Sequence, residues 1–297
     1  MKSSTRLLKW YANHGRKLPW RNTMHPYRIL VSEIMLQQTQ VHRVIDFYKR
    51  WLKQFPTWKA LAEAKTADVI RAWSGLGYNR RALQLRDIAR SVVKNGVPQT
   101  EEEWRSLKGI GPYTAAALTI FSLGKRATPV DTNIRRVIGR IDHGILFPTM
   151  DDDSKISMSL EKNWMSNKKF VHVPQALFDL ATMHCTKSPQ CATCPMASVC
   201  ASAETFLSGS ATIPARTIKT TRERHHRNKP FPDRIYRGRI LKLVQTQPRI
   251  LKNAIGPLVD DDFVRQKDTV WLHGMIKRLV RDGLIQDMGG RLTLPNE

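Results

Sequence analysis

Apolar residues recur at helical spacing through IMLQQTQVHRVIDFYKRWLKQF (34–55) and LAEAKTADVIRAW (61–73). Residues 24–127 therefore read as a series of short helices. The series is broken at Pro56, at Gly75–Gly77, at Gly96 and Pro98, and between Gly109 and Gly111. The helical pattern resumes over 134–204 and ends in a loop that holds every cysteine of the chain. Alternating β-branched residues are almost absent before residue 235, which predicts an all-α region of about 200 residues. Residues 205–234 lose the pattern. They are poor in apolar side chains and rich in Arg, Lys, His and Pro, as a solvated basic linker would be. From 235 the pattern returns. IYRGRILKLV and VWLHGMIKRLVRDGLI read as amphipathic helices, and LIQD, Gly289-Gly290 and RLTL as a short β-hairpin. Helices followed by a two-stranded wing give a small winged-helix-like α+β module over 235–297; a helical cap with a frayed tail fits the same pattern.

Charge adds the partner. Lys and Arg number 49 against 25 Asp and Glu, a formal net charge of +24 spread along the whole chain. A folded body this basic is suited to a polyanion, nucleic acid first and an anionic membrane surface second. No apolar run approaches the ~20 residues of a membrane span. The start, MKSSTRLLKWYANHGRKLPW, reads as an amphipathic helix and not as a signal peptide. Cys185, Cys191, Cys194 and Cys200 fall within sixteen residues as C-x5-C-x2-C-x5-C. Four thiolates at this spacing suit a [4Fe–4S] cluster or a structural zinc. Two disulfides are the other way to use them, less suited to a chain long enough to bury its own core. Reduced cysteines and high basicity place the protein in the cytoplasm, associated with the nucleoid. Nothing in the sequence calls for an oligomer, so a monomer is expected.

Two local patterns carry chemistry. In LKGIGPYTAAALTIF (107–121), Gly109 and Gly111 let the backbone approach a partner, and Pro112 opens a new helix whose first N–H groups face it. This is a helix-hairpin-helix, a grip on a DNA phosphate in which Lys108 takes part; a glycine-rich structural turn has the same spelling. Asp131 stands in TPVDTNIRRVIGR, twenty residues beyond Gly111. Taken alone it is an N-cap for the helix that follows.

LPWR (18–21), VSEIMLQQTQV (31–41), GLGY (75–78), GIGPYTAAAL (109–118), VDTN (130–133) and the cysteine loop occur in the order seen in adenine DNA glycosylases of the MutY type. The chain resembles that family over residues 5–204, and motifs in series are more specific than any one of them. The resemblance implies a two-lobed helix-hairpin-helix glycosylase fold with an iron–sulfur cluster loop. It makes Glu33 the general acid that protonates the departing adenine at N7. Glu33 stands in the apolar run V-S-E-I-M-L, where desolvation would raise its pKa. It makes Asp131 the carboxylate that stabilises the sugar C1′, with Asn133 and Tyr113 supporting it. Endonuclease III-type relatives carry a Schiff-base lysine where this chain has Tyr113, so a monofunctional enzyme is implied. Gln37, Gln38, Thr39, Leu76 and Tyr78 match the residues that fill the vacated stack and probe the opposite base. Trp20, Arg21 and Gln175 match the adenine pocket. Read without the family, Glu33 is a helix glutamate paired with a base, Leu76 and Tyr78 are turn packing, and Trp20 is a core aromatic. The first cysteine spacing is one residue shorter than the family's usual six.

The expected organisation is a glycosylase domain over 1–204, with a helical hairpin lobe (24–127) and a cluster lobe (1–23 and 128–204). The linker (205–234) and the winged-helix-like module follow. The Nudix-like C-terminal domain that reads 8-oxoguanine in full-length family members is not expected here. Arg237, Arg239, Lys277, Arg278 and Arg281 of the module read as nonspecific phosphate contacts. The expected activity is hydrolysis of the N-glycosidic bond of adenine opposite 8-oxoguanine or guanine in double-stranded DNA. A thymine or uracil glycosylase for mismatches with guanine is the alternative, and a non-catalytic DNA-binding iron–sulfur protein the next.

Overall fold

The structure, a computed structural model, describes residues 2–214, 224–227 and 229–295. Among these, the helices in chain order are α1 (Ser3–His14), α2 (Pro26–Leu36), α3 (Val41–Gln54), α4 (Trp58–Ala62), α5 (Thr66–Trp73), α6 (Arg80–Asn95), α7 (Glu101–Ser106) and α8 (Pro112–Leu123). They continue with α9 (Thr132–His143), α10 (Asp153–Ser159), α11 (Val173–Met183), α12 (Ala203–Leu207), α13 (Asp233–Thr246), α14 (Ile255–Val259) and α15 (Arg265–Arg281). Three short strands, β1 (Ile250–Leu251), β2 (Gln286–Met288) and β3 (Arg291–Thr293), occur only near the C-terminus among the described residues. The all-α body with a small strand-bearing module is thus observed. No described helix is long and apolar enough to cross a membrane.

The helix ends follow from local chemistry. The Thr57 hydroxyl accepts from the Ala60 N–H to start α4, and the Thr100 hydroxyl accepts from the Glu103 N–H to start α7. Pro112 opens α8, and Gly124, left-handed at φ 63°, closes it. All residues from Thr114 to Phe121 are buried, so α8 is apolar on every side and runs through the core.

The chain divides into two compact units, one from Met1–Glu33 and Val97–Thr217, the other from Ile34–Gly96 and Ile218–Glu297. In the first, α11 packs against α9 and α1, and α7 against α8. Asp179 on α11 is fully buried and ties down the loop after α1. Its carboxylate accepts from the Arg16 backbone N–H at 2.8 Å and from the Arg21 guanidinium at 2.7 and 2.8 Å. Burial alone would raise the Asp179 pKa, but the hydrogen bonds from Arg21 and Arg16 outweigh it and hold the carboxyl below its usual value.

In the second unit α6 packs on α4 and α5, and Trp51 meets Trp73 edge-on at 5.3 Å. The C-terminal module runs α13, β1, α14, α15, then the β2–β3 wing, which is winged-helix order. Its antiparallel sheet has the order β1-β3-β2, with Ile250 opposite Leu292 and Asp287 opposite Leu292 on the other side. β1 and α14 were not expected: one is two residues long and the other five, too short for periodicity to register. Tyr236, Ile240, Trp271, Met275 and Leu279 share one buried cluster with Ala67 and Ile70 of α5. The module's core is therefore continuous with that of the helical body.

Of the expected linker, residues 215–223 and 228 lie outside the described residues. α12 extends into its beginning, to Leu207. Near its end the basic side chains are docked on the module. Lys229 is buried and pairs with Asp260 at 2.5 Å and Asp268 at 3.0 Å. His226 stacks on Trp271 at 4.7 Å. Several module arginines are spent internally too. Arg237 pairs with Asp282 at 2.7 Å, Arg278 with Asp233 at 3.3 Å, and Arg239 donates to the Val259 carbonyl at 2.9 Å. Lys277 and Arg281 keep exposed side chains.

Candidate active site

Three polar side chains meet in the first unit. Glu33 lies in the last turn of α2 and is 9 % exposed. Tyr113 is the second residue of α8, and its hydroxyl donates to the Glu33 carboxylate. Asp131 precedes α9 and is close enough for its charge to act on both. Pro112 and the Gly109–Gly111 turn, with Gly109 at φ 93°, set the start of α8 and so place Tyr113.

The proton affinities of the two carboxyls are set differently. Burial pushes Glu33 up to about 7; the Tyr113 hydrogen bond opposes the rise, and the Asp131 charge adds to it. Burial also leaves Asp131 above its usual value, although the Ile134 N–H, the Asn133 amide and the Asn133 N–H all oppose the rise. Those bonds are short. Asp131 Oδ1 accepts from the Asn133 N–H at 2.9 Å and the Ile134 N–H at 2.8 Å, and Oδ2 accepts from Asn133 Nδ2 at 2.8 Å. Asp131 is thus the N-cap of α9, and its carboxyl stands near enough to Glu33 for its charge to act on it. Burial, and then the charges of Glu33 and Asp131, push the Tyr113 hydroxyl well above its usual pKa, so it stays a proton donor.

Behind Asp131 runs a series of contacts that the sequence did not disclose. Arg136 Nη2 donates to Asn133 Oδ1 at 3.0 Å, and Arg136 Nε donates to the Cys185 carbonyl at 2.6 Å. One turn on, buried Arg140 donates to the carbonyls of Leu146 at 2.8 Å, Thr186 at 2.6 Å and Lys187 at 3.1 Å. Its guanidinium lies over the Phe206 ring at 4.6 Å, and Nη1 is 3.5 Å from Cys185 Sγ. In the sequence these are two of three arginines in IRRVIGR, with nothing to mark them from a solvated basic face.

Cys185, Cys191, Cys194 and Cys200 line one small cavity together with Arg140, His184 and Met196. Burial pushes the thiols of Cys191 and Cys194 up, and Cys200 to about 11, with the neighbouring sulfurs adding to the rise. Such a group ionises only against strong positive charge, as metal ligands do. Among the described residues no three His, Cys, Asp or Glu side chains converge on a position for a single metal ion.

The remaining expected residues fall into three groups. Trp20 is buried, Arg21 is engaged with Asp179, and Gln175 Oε1 accepts from the Tyr11 hydroxyl at 3.0 Å. Lys108, Gly109 and Gly111 are exposed at the hairpin. In the second unit Gln37 and Gln38 are exposed, Thr39 is half-buried, Tyr78 is 61 % exposed and Leu76 is buried.

The HhH-GPD superfamily of base excision DNA repair proteins matches residues 31–165. The adenine DNA glycosylase of Mycobacterium tuberculosis H37Rv is 34 % identical, over 99 % of this chain and 94 % of its own length. The chain belongs to the adenine DNA glycosylase family. The enzyme of Mycolicibacterium smegmatis is 35 % identical, over 99 % of this chain and 97 % of its own. These two matches take in the C-terminal module. The human adenine DNA glycosylase, at 35 % identity, matches 65 % of this chain but 38 % of its own length. Among solved structures, a thermostable thymine-DNA glycosylase has a TM-score of 0.62 at 26 % identity, covering 68 % of this chain and 94 % of its own. A non-covalent endonuclease III–DNA complex has 0.57 at 19 %, covering 69 % and 94 %, which supports the fold alone.

Proposed function

We propose that this glycosylase hydrolyses the N-glycosidic bond of adenine mispaired with 8-oxoguanine or guanine in double-stranded DNA. The observation that carries the reading is the neighbouring pair Glu33 and Asp131: burial lifts Glu33 to about 7, whereas three donors hold the Asp131 carboxyl against the rise that burial causes. Glycosidic cleavage needs a neutral acid at the leaving group and a negative charge at the oxocarbenium-like sugar. Glu33, protonated up to about pH 7, supplies the proton to adenine N7. Asp131, held by three donors, is the carboxylate that faces C1′, and Asn133 orients it. Water completes the hydrolysis. Tyr113 offers a hydroxyl and no amine, so no Schiff base forms there and an abasic site remains in an intact strand.

The base leaves the stack to be cut. Gln37, Gln38, Thr39, Leu76 and Tyr78 are the residues assigned to the opposite base and the vacated space; Leu76, buried as it stands, requires its loop to shift. Trp20, Arg21 and Gln175 are assigned to adenine. Lys108, Gly109, Gly111 and the start of α8 are assigned to a phosphate. The enzyme acts as a monomer on DNA in the cytoplasm. The names of its relatives support adenine, and the likeness to a thymine-DNA glycosylase favours removal of thymine or uracil opposite guanine as the second reading. Single-turnover release from duplexes holding A opposite 8-oxoguanine, A opposite G, T opposite G and U opposite G decides between them. Adenine release, with strand breaks only after alkali, is expected. Release of T or U with adenine untouched replaces the first reading by the second.

We assign a [4Fe–4S] cluster to Cys185, Cys191, Cys194 and Cys200. Four thiols around one cavity, with buried Arg140 beside them, support a metal centre, with structural zinc as the alternative to the cluster. Arg140 would offset the negative charge of a four-thiolate group. A cluster held there would brace the loop, and the hydrolysis needs no electrons from it. Protein purified without oxygen is expected to be brown and to contain iron and acid-labile sulfide in equal amounts. A colourless protein with one zinc per chain overturns the assignment.

A further inference from the structure

Two segments of the second unit are built in uncommon backbone conformations. Gln38, after α2, has φ 53°, and Tyr78, after α5, has φ 50°. Left-handed backbone is rare for side chains of this size and persists only where the surroundings hold it. Gly75 and Gly77, at φ 94° and 83°, complete the second loop.

A single side chain touches both loops. Arg81, near the start of α6, is 8 % exposed. Its Nη1 donates to the Ile34 carbonyl at 2.9 Å, to the Met35 carbonyl at 3.4 Å and to the Gln37 carbonyl. Nη2 donates to Thr39 Oγ1 at 3.3 Å and to the Gly77 carbonyl at 3.1 Å. The guanidinium lies over the rings of Tyr78 at 5.2 Å and Trp73 at 5.4 Å. Trp73 Nε1 donates to the same Gly77 carbonyl at 3.0 Å. Ile34 and Met35 are in the last turn of α2, where carbonyls lack helical partners and a cation is favoured. Arg81 forms no ion pair with a carboxylate among the described residues; its charge is met by carbonyl oxygens and ring faces.

We propose that Arg81 is a positioning residue that holds the Gln37–Thr39 and Gly75–Tyr78 loops in one fixed arrangement, ready to read the base opposite the target. The inference rests on the reading of those loops as base-probing. A planar fork is what the geometry asks for: it donates from two nitrogens in diverging directions while its face lies on aromatic rings. A lysine ammonium keeps the charge but neither the fork nor the stacking plane. The role is to set the loops before DNA arrives, so that binding does not have to order them.

The test compares wild type with Arg81→Lys and Arg81→Gln by hydrogen–deuterium exchange of the free protein. It adds single-turnover excision and affinity for mispaired against fully paired duplex, all far below each variant's melting temperature. Exchange in 36–39 and 75–79 is expected to rise at least tenfold in both variants, with α8 and α9 unchanged. Excision is expected to fall at least tenfold, and the preference for mispaired duplex to shrink while affinity for paired duplex stays within about twofold. Unchanged exchange in the two loops of Arg81→Lys overturns the proposal, whatever the activity. So does looser exchange with wild-type excision and wild-type preference. Wild type that excises no base from any duplex marks the failure of the functional reading instead, and the exchange result then stands by itself. If Arg81→Gln does not fold, Arg81→Lys carries the comparison.

Discussion

Asp131→Asn is expected to lower single-turnover excision by on the order of 10³-fold while leaving the protein folded. The substitution is informative because of the double use of this carboxyl. As the cap of α9, Asp131 needs only an oxygen that accepts from the Asn133 and Ile134 N–H groups. Asparagine supplies one and caps about as well, so the stability change should stay within about 1 kcal/mol. As the group facing the sugar, Asp131 needs its charge, and asparagine has none. Loss of one preorganised electrostatic partner of a developing charge costs about 10²–10³ in rate, and loss of a full charge belongs at the upper end. Asp131→Ala removes the cap as well and should cost about 1 kcal/mol more in a melt with no further loss of rate. Wild-type excision by Asp131→Asn would leave the residue a cap and nothing else.

That double use shows how far the sequence could be read. The order of motifs from LPWR to the cysteine loop led to the family and to the all-helical fold. The spacing from hairpin to Asp131 singled out one aspartate among many. Pattern could not separate a cap from the proposed catalytic carboxyl, because an aspartate that opens a helix has the same spelling in both cases. The supports were hidden for a different reason. Arg136, Arg140 and Arg81 are arginines in a chain rich in arginine, and only their burial and their carbonyl partners distinguish them. Asp179 was missed because its partners Arg16 and Arg21 lie more than 150 residues away in the chain. The polar run before α13 reads as linker because it lacks apolar residues. Yet Lys229 there is buried, held by Asp260 and Asp268 from the module, a pairing that composition does not encode.

Glu33→Gln is expected to abolish most excision and, at neutral to alkaline pH, to make the protein more stable. General acid catalysis contributes about 10²–10⁴ in rate, and an amide cannot serve. In wild type the acid is available only while Glu33 holds its proton, so excision should fall as pH rises through about 7. Stability moves with the same proton. The folded protein keeps it up to about 7, whereas the carboxyl of the unfolded chain gives it up near its ordinary 4.5. Between those values the folded state binds more protons than the unfolded one, so stability falls as pH rises and the full penalty is present above pH 7. Its size is roughly 3 kcal/mol. Glutamine keeps an oxygen that can accept from Tyr113 and carries no charge to desolvate. The variant should therefore melt higher than wild type at pH 8, and the gap should close as pH is lowered toward 4.5. A melting gap that does not vary with pH would mean that Glu33 is not held protonated by the fold. An acid that is ready at neutral pH is, on this account, a carboxyl the fold would be more stable without, and Glu33→Gln measures both sides of that exchange in one protein.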